Sequence, residues 1–213
     1  MKLFAELYQL LDSTTRTNAK ISAMVDYFGR ADAADAAWAI HFLSGQKLRR
    51  LVPTKLLRQW AAEEADIPPW LFEESYSSVG DLAETISLVV PEQQLETTGS
   101  LREWVEDRLQ VLRGMDEEAQ RKIVTDIWRQ KPAHVRFVIL KLITGAFRVG
   151  VSKRLVTRAL AEHSGISAEV IAHRLMGTWT PTPESFLRLS NPDIGDAVAS
   201  QPYPFCLAHA IDR

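Results

Sequence analysis

The feature of this sequence that most limits its fold is the spacing of its apolar residues, which is helical almost throughout. Apolar residues recur at intervals of three and four, the spacing that places them on one face of an α-helix. The first such stripe consists of Leu3, Phe4, Leu7, Leu10 and Leu11, and the second of Ile21, Met24, Val25 and Phe28. No credible run of alternating apolar and polar residues indicates strands. We therefore predict an all-α fold, a single compact domain of ten to twelve helices.

Capping and stop signals indicate where the helices begin and end. Gly45 favours a left-handed C-terminal cap, Pro91 halts a helix, and the Ser100–Glu103 stretch is a capping box. Pro132 can open a helix from its first turn. The predicted helices are 32–44, 54–65, 79–90, 100–113, one led by Asp116, 133–144, one from Ser152 to near Gly165, and one from Ser167 through Met176.

The helical pattern ends at Asn191, and the last segment carries Pro192, Pro202 and Pro204. A proline-punctuated stretch of this kind is typical of a linker or an extended tail. We therefore predict a helical domain over 1–191 and a linker over 192–213 that leads to a domain absent from this sequence.

Composition excludes several classes of protein. Apolar residues make up 46% of the chain, as in an ordinary globular domain, and no apolar run approaches the roughly 18 residues that span a bilayer. The acidic and polar residues within the first helix do not suit a secretion signal. A single cysteine, Cys206, excludes an internal disulfide and favours a reducing compartment. We expect a cytoplasmic protein without a membrane partner.

The net charge of −2 conceals an uneven distribution of charge. Residues 1–100 hold 9 Lys/Arg against 14 Asp/Glu, whereas residues 121–158 hold 10 Lys/Arg against Asp126 alone. A local excess of that size repels itself unless an anion offsets it. A solvated basic surface has the same composition, but this excess surrounds a glycine-containing turn, which favours an anionic ligand.

A search for catalytic patterns finds none. The five histidines have neither metal-ligand spacing nor a cysteine cluster beside them, so we predict no metal site and no catalytic residue. The Gly145–Ser152 stretch has the outline of a phosphate-binding loop. However, Val151 stands where the lysine of such a loop belongs, and the preceding segment is predicted as helix rather than strand. ATP binding at this turn is therefore not expected.

The same turn suits a different phosphate. It joins two predicted helices, and the second begins at Ser152 with free backbone N–H groups and the positive end of the helix dipole. Gly145 and Gly150 permit close approach of another backbone, with Arg148 between them. A helix connection that binds nothing would have the same glycines. As an anion site, the turn would hold a DNA backbone without recognising its sequence.

Four segments resemble one family in order and spacing. The Leu142–Val156 segment, LITGAFRVGVSKRLV, resembles the turn and helix of the DNA-binding domains of ATP-dependent DNA ligases, whose pattern is about G-[RK]-L-R-[IL]-G-[LV]. The Thr14–Lys20 segment resembles the family's T-x-R-x-x-K motif, and Val79–Thr85 its G-D-L-[GA]-E motif. The Gln201–Ala208 segment resembles the approach to the nucleotidyltransferase domain of bacterial members. The resemblance covers nearly the whole chain.

The resemblance implies a helical domain that binds nicked double-stranded DNA without sequence preference. Two departures affect the site: Ala146 stands where many relatives have a basic residue, and Lys153 with Arg154 stands where eukaryotic relatives often carry acidic or amide residues. The implied DNA-binding residues are Arg16, Lys20, Gly80, Thr144, Gly145, Arg148, Gly150, Ser152, Lys153 and Arg154.

The resemblance also implies a larger parent enzyme. Such a parent uses ATP and Mg²⁺ to seal breaks in DNA repair, replication or recombination. It encircles the duplex with this domain, a nucleotidyltransferase domain and an OB-fold. The attacking lysine of the family lies in a K-x-D-G motif, which this sequence lacks. We therefore expect no cofactor in this segment and no ligation by it alone.

Two other classes of protein remain open. The Leu160–Ser167 segment resembles a helix-turn-helix, which would make the chain a sequence-specific regulator with Ser167, Glu169 and His173 in a major groove. Against this, the presumed recognition helix offers few basic residues. A helical scaffold that binds partners through tryptophans such as Trp70 or Trp179 is the third class, although six tryptophans are more simply explained as core.

Overall fold

The computed structural model describes residues 1–91, 98–176 and 179–192, and the regular elements in these ranges are all helices. The predicted all-α fold, with its twelve α-helices, is confirmed. Residues 193–213, most of the predicted linker, lie outside the described ranges. The helices are α1 (Lys2–Asp12), α2 (Thr17–Arg30), α3 (Ala33–Leu43), α4 (Thr54–Glu64), α5 (Pro69–Val79), α6 (Leu82–Val89), α7 (Leu101–Glu103), α8 (Glu117–Gln130), α9 (Ala133–Thr144), α10 (Lys153–Ser164), α11 (Ala168–Arg174) and α12 (Pro183–Ser190).

Most predicted boundaries are confirmed, since the capping side chains form the expected hydrogen bonds. Ser100 and Glu103 form the capping box, Ser152 caps α10, and Ser167 caps α11. The predicted helix 79–90 was placed too early. Gly80 ends α5 with a left-handed φ of 79°, and Asp81 caps α6 by accepting a hydrogen bond from the backbone N–H of Glu84.

The predicted helix 100–113 changes its winding along its length. Only its first turn is α-helical; it continues as a π-helix over Trp104–Leu109 and a 3₁₀ helix over Gln110–Gly114. The widened π turn buries Trp104, Val105 and Leu109 together. The sequence pattern could not show this, because apolar spacing near three and four residues fits all three windings.

An aromatic cluster joins the N-terminal helices to the connection between α9 and α10. The ring of Phe4 in α1 stacks on that of Phe147 at 5.6 Å between centroids, and Phe42 of α3 lies 5.9 Å from the same ring. The Tyr8 ring meets Phe147 edge-on at 5.3 Å. Because Phe147 belongs to the α9–α10 connection, the core itself fixes the position of that connection.

Buried charged groups link the remaining helices. Asp35 in α3 accepts hydrogen bonds from the backbone N–H groups of Leu101 and Arg102, at 2.7 and 2.8 Å, and so caps α7 from another helix. Arg136 in α9 is fully buried and donates to the carbonyl oxygens of Trp128 and Ser87. Within the described ranges, no helix has the length and apolarity needed to cross a membrane.

Candidate nucleic-acid interface

The α9–α10 turn, residues 145–152, begins at a glycine that the chain's own packing requires. Gly145 ends α9 with a φ of 69°, and a Cβ placed on it would lie 3.1 Å from the carbonyl oxygen of Leu48. The backbone that approaches Gly145 closely is therefore the α3–α4 loop of the same chain. The positive φ and this internal contact both favour glycine at position 145, and the approach of a DNA backbone there stays a prediction.

Lys20 holds the other end of the turn. Its ammonium donates hydrogen bonds to the carbonyl oxygens of Val149 and Gly150, at 2.9 and 3.0 Å, and the residue is only 7% exposed. A Cβ on Gly150, whose φ is 60°, would lie 2.9 Å from this ammonium nitrogen. In the structure Lys20 positions the turn through these two hydrogen bonds, and its predicted contact with DNA stays a prediction.

Between these anchors, alternate side chains of the turn point inward and outward. Phe147 and Val149 are buried, whereas Ala146 and Arg148 are exposed. The phenol of Tyr8 donates to the carbonyl oxygen of Arg148 at 3.2 Å and fixes the backbone from which that side chain leaves. The Arg148 guanidinium forms no ion pair with any residue that the structure describes. A fixed backbone and an unpaired exposed cation together suit an external anion.

The start of α10 adds further positive charge beside the turn. Ser152 caps the helix by accepting from the backbone N–H of Leu155 at 3.3 Å, and Ser152, Lys153 and Arg154 are all exposed. The Lys153 ammonium donates to the carbonyl oxygen of Leu175 at 3.0 Å, so part of its capacity is used at the end of α11. Arg154 has no ion pair within the described ranges, which makes it the more available cation.

Arg16 lies at the start of α2, the helix that packs against α10. It precedes Lys20 by four residues, about one helical turn, and its side chain is exposed. Because Lys20 is fixed to the turn at Val149 and Gly150, Arg16 lies near the same end of the turn. The structure thus brings the predicted residues Arg16, Arg148 and Arg154 to the surroundings of one connection.

Gly80 and Thr144 line a separate cleft of about 330 Å³, together with Arg50 and Ala146. Thr144 donates its hydroxyl hydrogen to the carbonyl oxygen of Leu140 in its own helix, at 2.9 Å. The two predicted residues therefore lie together, at the α9 end of the turn, rather than beside Arg154.

An ion pair between Lys141 and Asp81 lines the same cleft. Burial by itself would raise the pKa of Asp81. Hydrogen bonds from Lys141 and from the backbone N–H of Glu84 outweigh burial, and the pKa is lowered overall. Lys141 is only 8% exposed, so its charge serves the fold rather than the surface.

Much of the basic excess over residues 121–158 is neutralised in the same way. Arg121 pairs with Glu63 at 2.6 Å, and Arg129 pairs with Glu64 at 2.7 Å. Arg136 is buried. The large excess of positive charge expected from the sequence is therefore reduced, and the exposed cations that this segment contributes near the turn are Arg148, Lys153, Arg154 and Arg158.

Sequence reasoning missed three basic residues beside the turn. Lys47, Arg49 and Arg50 are exposed on the α3–α4 loop, whose Leu48 packs against Gly145. The sequence does contain a signal for this basic loop, because residues 36–62 include five Lys and Arg residues and no Asp or Glu. The acidic total over 1–100 concealed that run.

These features describe an all-helical domain with an exposed basic surface around one interhelical turn. The family described as DNA ligase N terminus matches residues 1–161 of the chain. The chain belongs to this family, and the recognition made from its motifs is confirmed at that level. The match ends within α10, so α11 and α12 lie outside it. No curated protein matches the chain.

Proposed function

We propose that this chain binds duplex DNA at nicks, without sequence preference, as the N-terminal domain of an ATP-dependent DNA ligase. The observation that carries the proposal is the α9–α10 turn. It is fixed from inside by Lys20, Tyr8 and Phe147, and it presents Arg148 outward next to the exposed N-terminus of α10.

Phosphate contacts explain this arrangement better than base contacts. A short turn with an arginine and a helix N-terminus offers positive charge and N–H donors, which suit phosphate oxygens. Reading of bases instead needs a helix or strand whose side chains enter a groove. Binding through this turn is therefore expected to fix the position of a duplex and leave its sequence unread.

The parent that this proposal implies uses ATP and Mg²⁺ and carries a nucleotidyltransferase domain and an OB-fold beyond this segment. Its reaction seals 3′-hydroxyl and 5′-phosphate ends in the cytoplasm, during DNA repair, replication or recombination. The chemistry is assigned to those further domains because the sequence here has no K-x-D-G motif. This segment would contribute affinity and placement rather than catalysis.

The alternative, a sequence-specific regulator of the helix-turn-helix class, would need basic side chains of α11 that are free to contact DNA. Arg174 of α11 is 9% exposed and donates to the carbonyl oxygens of Arg188, Leu189 and Asn191 at the end of α12. One of the two basic residues of the helix that would recognise DNA in that class is thus engaged within the fold.

Titration of unrelated duplexes, intact and nicked, tests the proposal against the regulator. At fixed salt, unrelated sequences of equal length should bind with similar affinity, and affinity should fall steeply as salt rises because phosphate contacts release counterions. A preference of more than about a hundredfold for one sequence would favour the regulator. Absence of duplex binding at low salt would overturn the proposal.

A further inference from the structure

The α3–α4 loop, residues 45–53, packs against the proposed DNA-contacting turn. The backbone N–H of Leu51 donates to the carbonyl oxygen of Ile143 at 3.2 Å, near the end of α9. The carbonyl oxygen of Leu48 lies 3.1 Å from the position of a Cβ on Gly145. Two contacts, on either side of Arg49 and Arg50, therefore fix the loop to the start of the turn.

Side chains of this loop divide into buried anchors and exposed cations. Leu48, Leu51 and Val52 are buried in the core, whereas Lys47, Arg49 and Arg50 are exposed. None of these three cations forms an ion pair with any residue in the described part of the chain. The core thus holds the loop while its charges are left to solvent.

The surroundings of the loop contain little negative charge. Residues 36–62 and residues 127–161 both lack Asp and Glu, and these two segments meet where Leu48 contacts Gly145. Asp81 is the one acid among the described residues that line the adjoining cleft, and Lys141 is paired with it. Arg50 and Ala146 both line this cleft, and both are exposed.

We propose that Lys47, Arg49 and Arg50 form a second phosphate-binding element, which extends the surface of the turn along the backbone of the same duplex. This inference rests on the proposed function and adds residues to its site. Three adjacent cations without acids nearby repel one another, and a polyanion offsets that repulsion. The contacts at Ile143 and Gly145 position the loop before DNA binds, so ordering it costs the complex little.

The test compares a triple variant, Lys47→Ala with Arg49→Ala and Arg50→Ala, against the unaltered 213-residue chain. Duplex affinity is measured by fluorescence anisotropy over a range of salt concentrations. Each lost phosphate contact reduces the magnitude of the slope of log K against log salt by about 0.9. The slope of the triple variant is therefore expected to be flatter by about 2 to 3 units. The single variants Arg49→Ala and Arg50→Ala are each expected to lose about one unit.

The matched control removes Arg102 and Arg113 instead. Arg102 lies beside Asp35 at the start of α3, whereas the loop follows the end of that helix, about 12 Å away along its axis. The control should keep the slope of the unaltered chain. An unchanged slope in the triple variant, or an equal fall in the control, would overturn the proposal while leaving the proposed function intact.

The proposed function fails separately, if the unaltered chain does not bind duplex at all. Should the triple variant lose its fold, the single variants Arg49→Ala and Arg50→Ala decide, because each removes one charge from an exposed side chain. A loss of about one unit of slope in each supports the proposal, and an unchanged slope in both overturns it.

Discussion

Replacing Lys20 with methionine separates a lysine that supports the turn from one that contacts DNA. Methionine keeps most of the length of the side chain but donates no hydrogen bond. The variant therefore loses two bonds, to the carbonyl oxygens of Val149 and Gly150. Hydrogen bonds from a charged donor contribute about 1.5 to 3 kcal/mol each, and a buried carbonyl left without a partner costs about 1 to 3 kcal/mol.

Part of that loss is offset, because the variant no longer has to bury an ammonium. We expect a net loss of about 2 kcal/mol in the free energy of unfolding. For a chain of this size, that lowers Tm by about 4 to 8 °C. Thermal unfolding followed by circular dichroism measures it. Lys2→Met, at an exposed lysine of α1, is the matched control and should change stability by about 0.5 kcal/mol or less.

DNA binding supplies the second measurement. A lysine that supports the turn makes no phosphate contact. At temperatures where the variant is folded, its slope of log K against log salt should therefore change by less than the loss of one phosphate contact would cause, which is about 0.9. The reasoning is refuted if Lys20→Met keeps the Tm of the unaltered chain and loses about one unit of slope. Lys20 would then be a DNA contact, as its motif alone predicts.

Three further predictions concern the turn, the cleft and the missing chemistry. Gly150→Ala should lower stability by about 1 to 2 kcal/mol, since φ is 60° and the new Cβ meets the Lys20 ammonium, whereas Gly29→Ala within α2 should raise it by up to about 1 kcal/mol in the same thermal assay. Asp81→Asn keeps the α6 cap but breaks the pair with Lys141, and should cost about 1 kcal/mol at neutral pH after allowance for the partial exposure of Asp81. Because the pKa of Asp81 is lowered in the folded state, this difference in the free energy of unfolding should have its full size above about pH 4 and vanish as pH falls through the folded pKa. A difference that grows in acid would contradict the prediction. Incubation with ATP and Mg²⁺ should give no covalent AMP adduct by intact mass, and an adduct would reveal a reactive lysine outside any K-x-D-G motif.

The sequence was enough to predict the helices whose first residues are set by hydrogen bonds between near neighbours in the chain. Ser100, Ser152 and Ser167 cap their helices as predicted, because a capping hydroxyl and the N–H it accepts from lie three residues apart. Helix α5 was missed. Its Pro-Pro start and mostly exposed surface leave Phe72 as its one fully buried residue, too little for an apolar stripe.

The site was predicted only in part, since its geometry depends on contacts between distant segments. Lys20 and Val149 are far apart in the chain, and nothing local indicates that one hydrogen-bonds the other. The contact of Gly145 with Leu48 is of the same kind, and it brings the basic α3–α4 loop to the turn. Arg148 and Arg154 are exposed in the structure, and DNA contact by them stays a prediction.

The salt dependence of a turn variant tests the central claim most directly. Arg148→Ala with Arg154→Ala removes two exposed arginines, one in the turn and one in the first turn of α10, and neither has an ion pair in the described ranges. Duplex affinity should fall, and the salt slope should drop by about 2 units, with little change in Tm. The control pair Arg102→Ala with Arg113→Ala should leave both quantities unchanged. If the control weakens binding as much as the turn variant does, or if the turn variant keeps the full slope, the α9–α10 turn is not the surface that holds DNA.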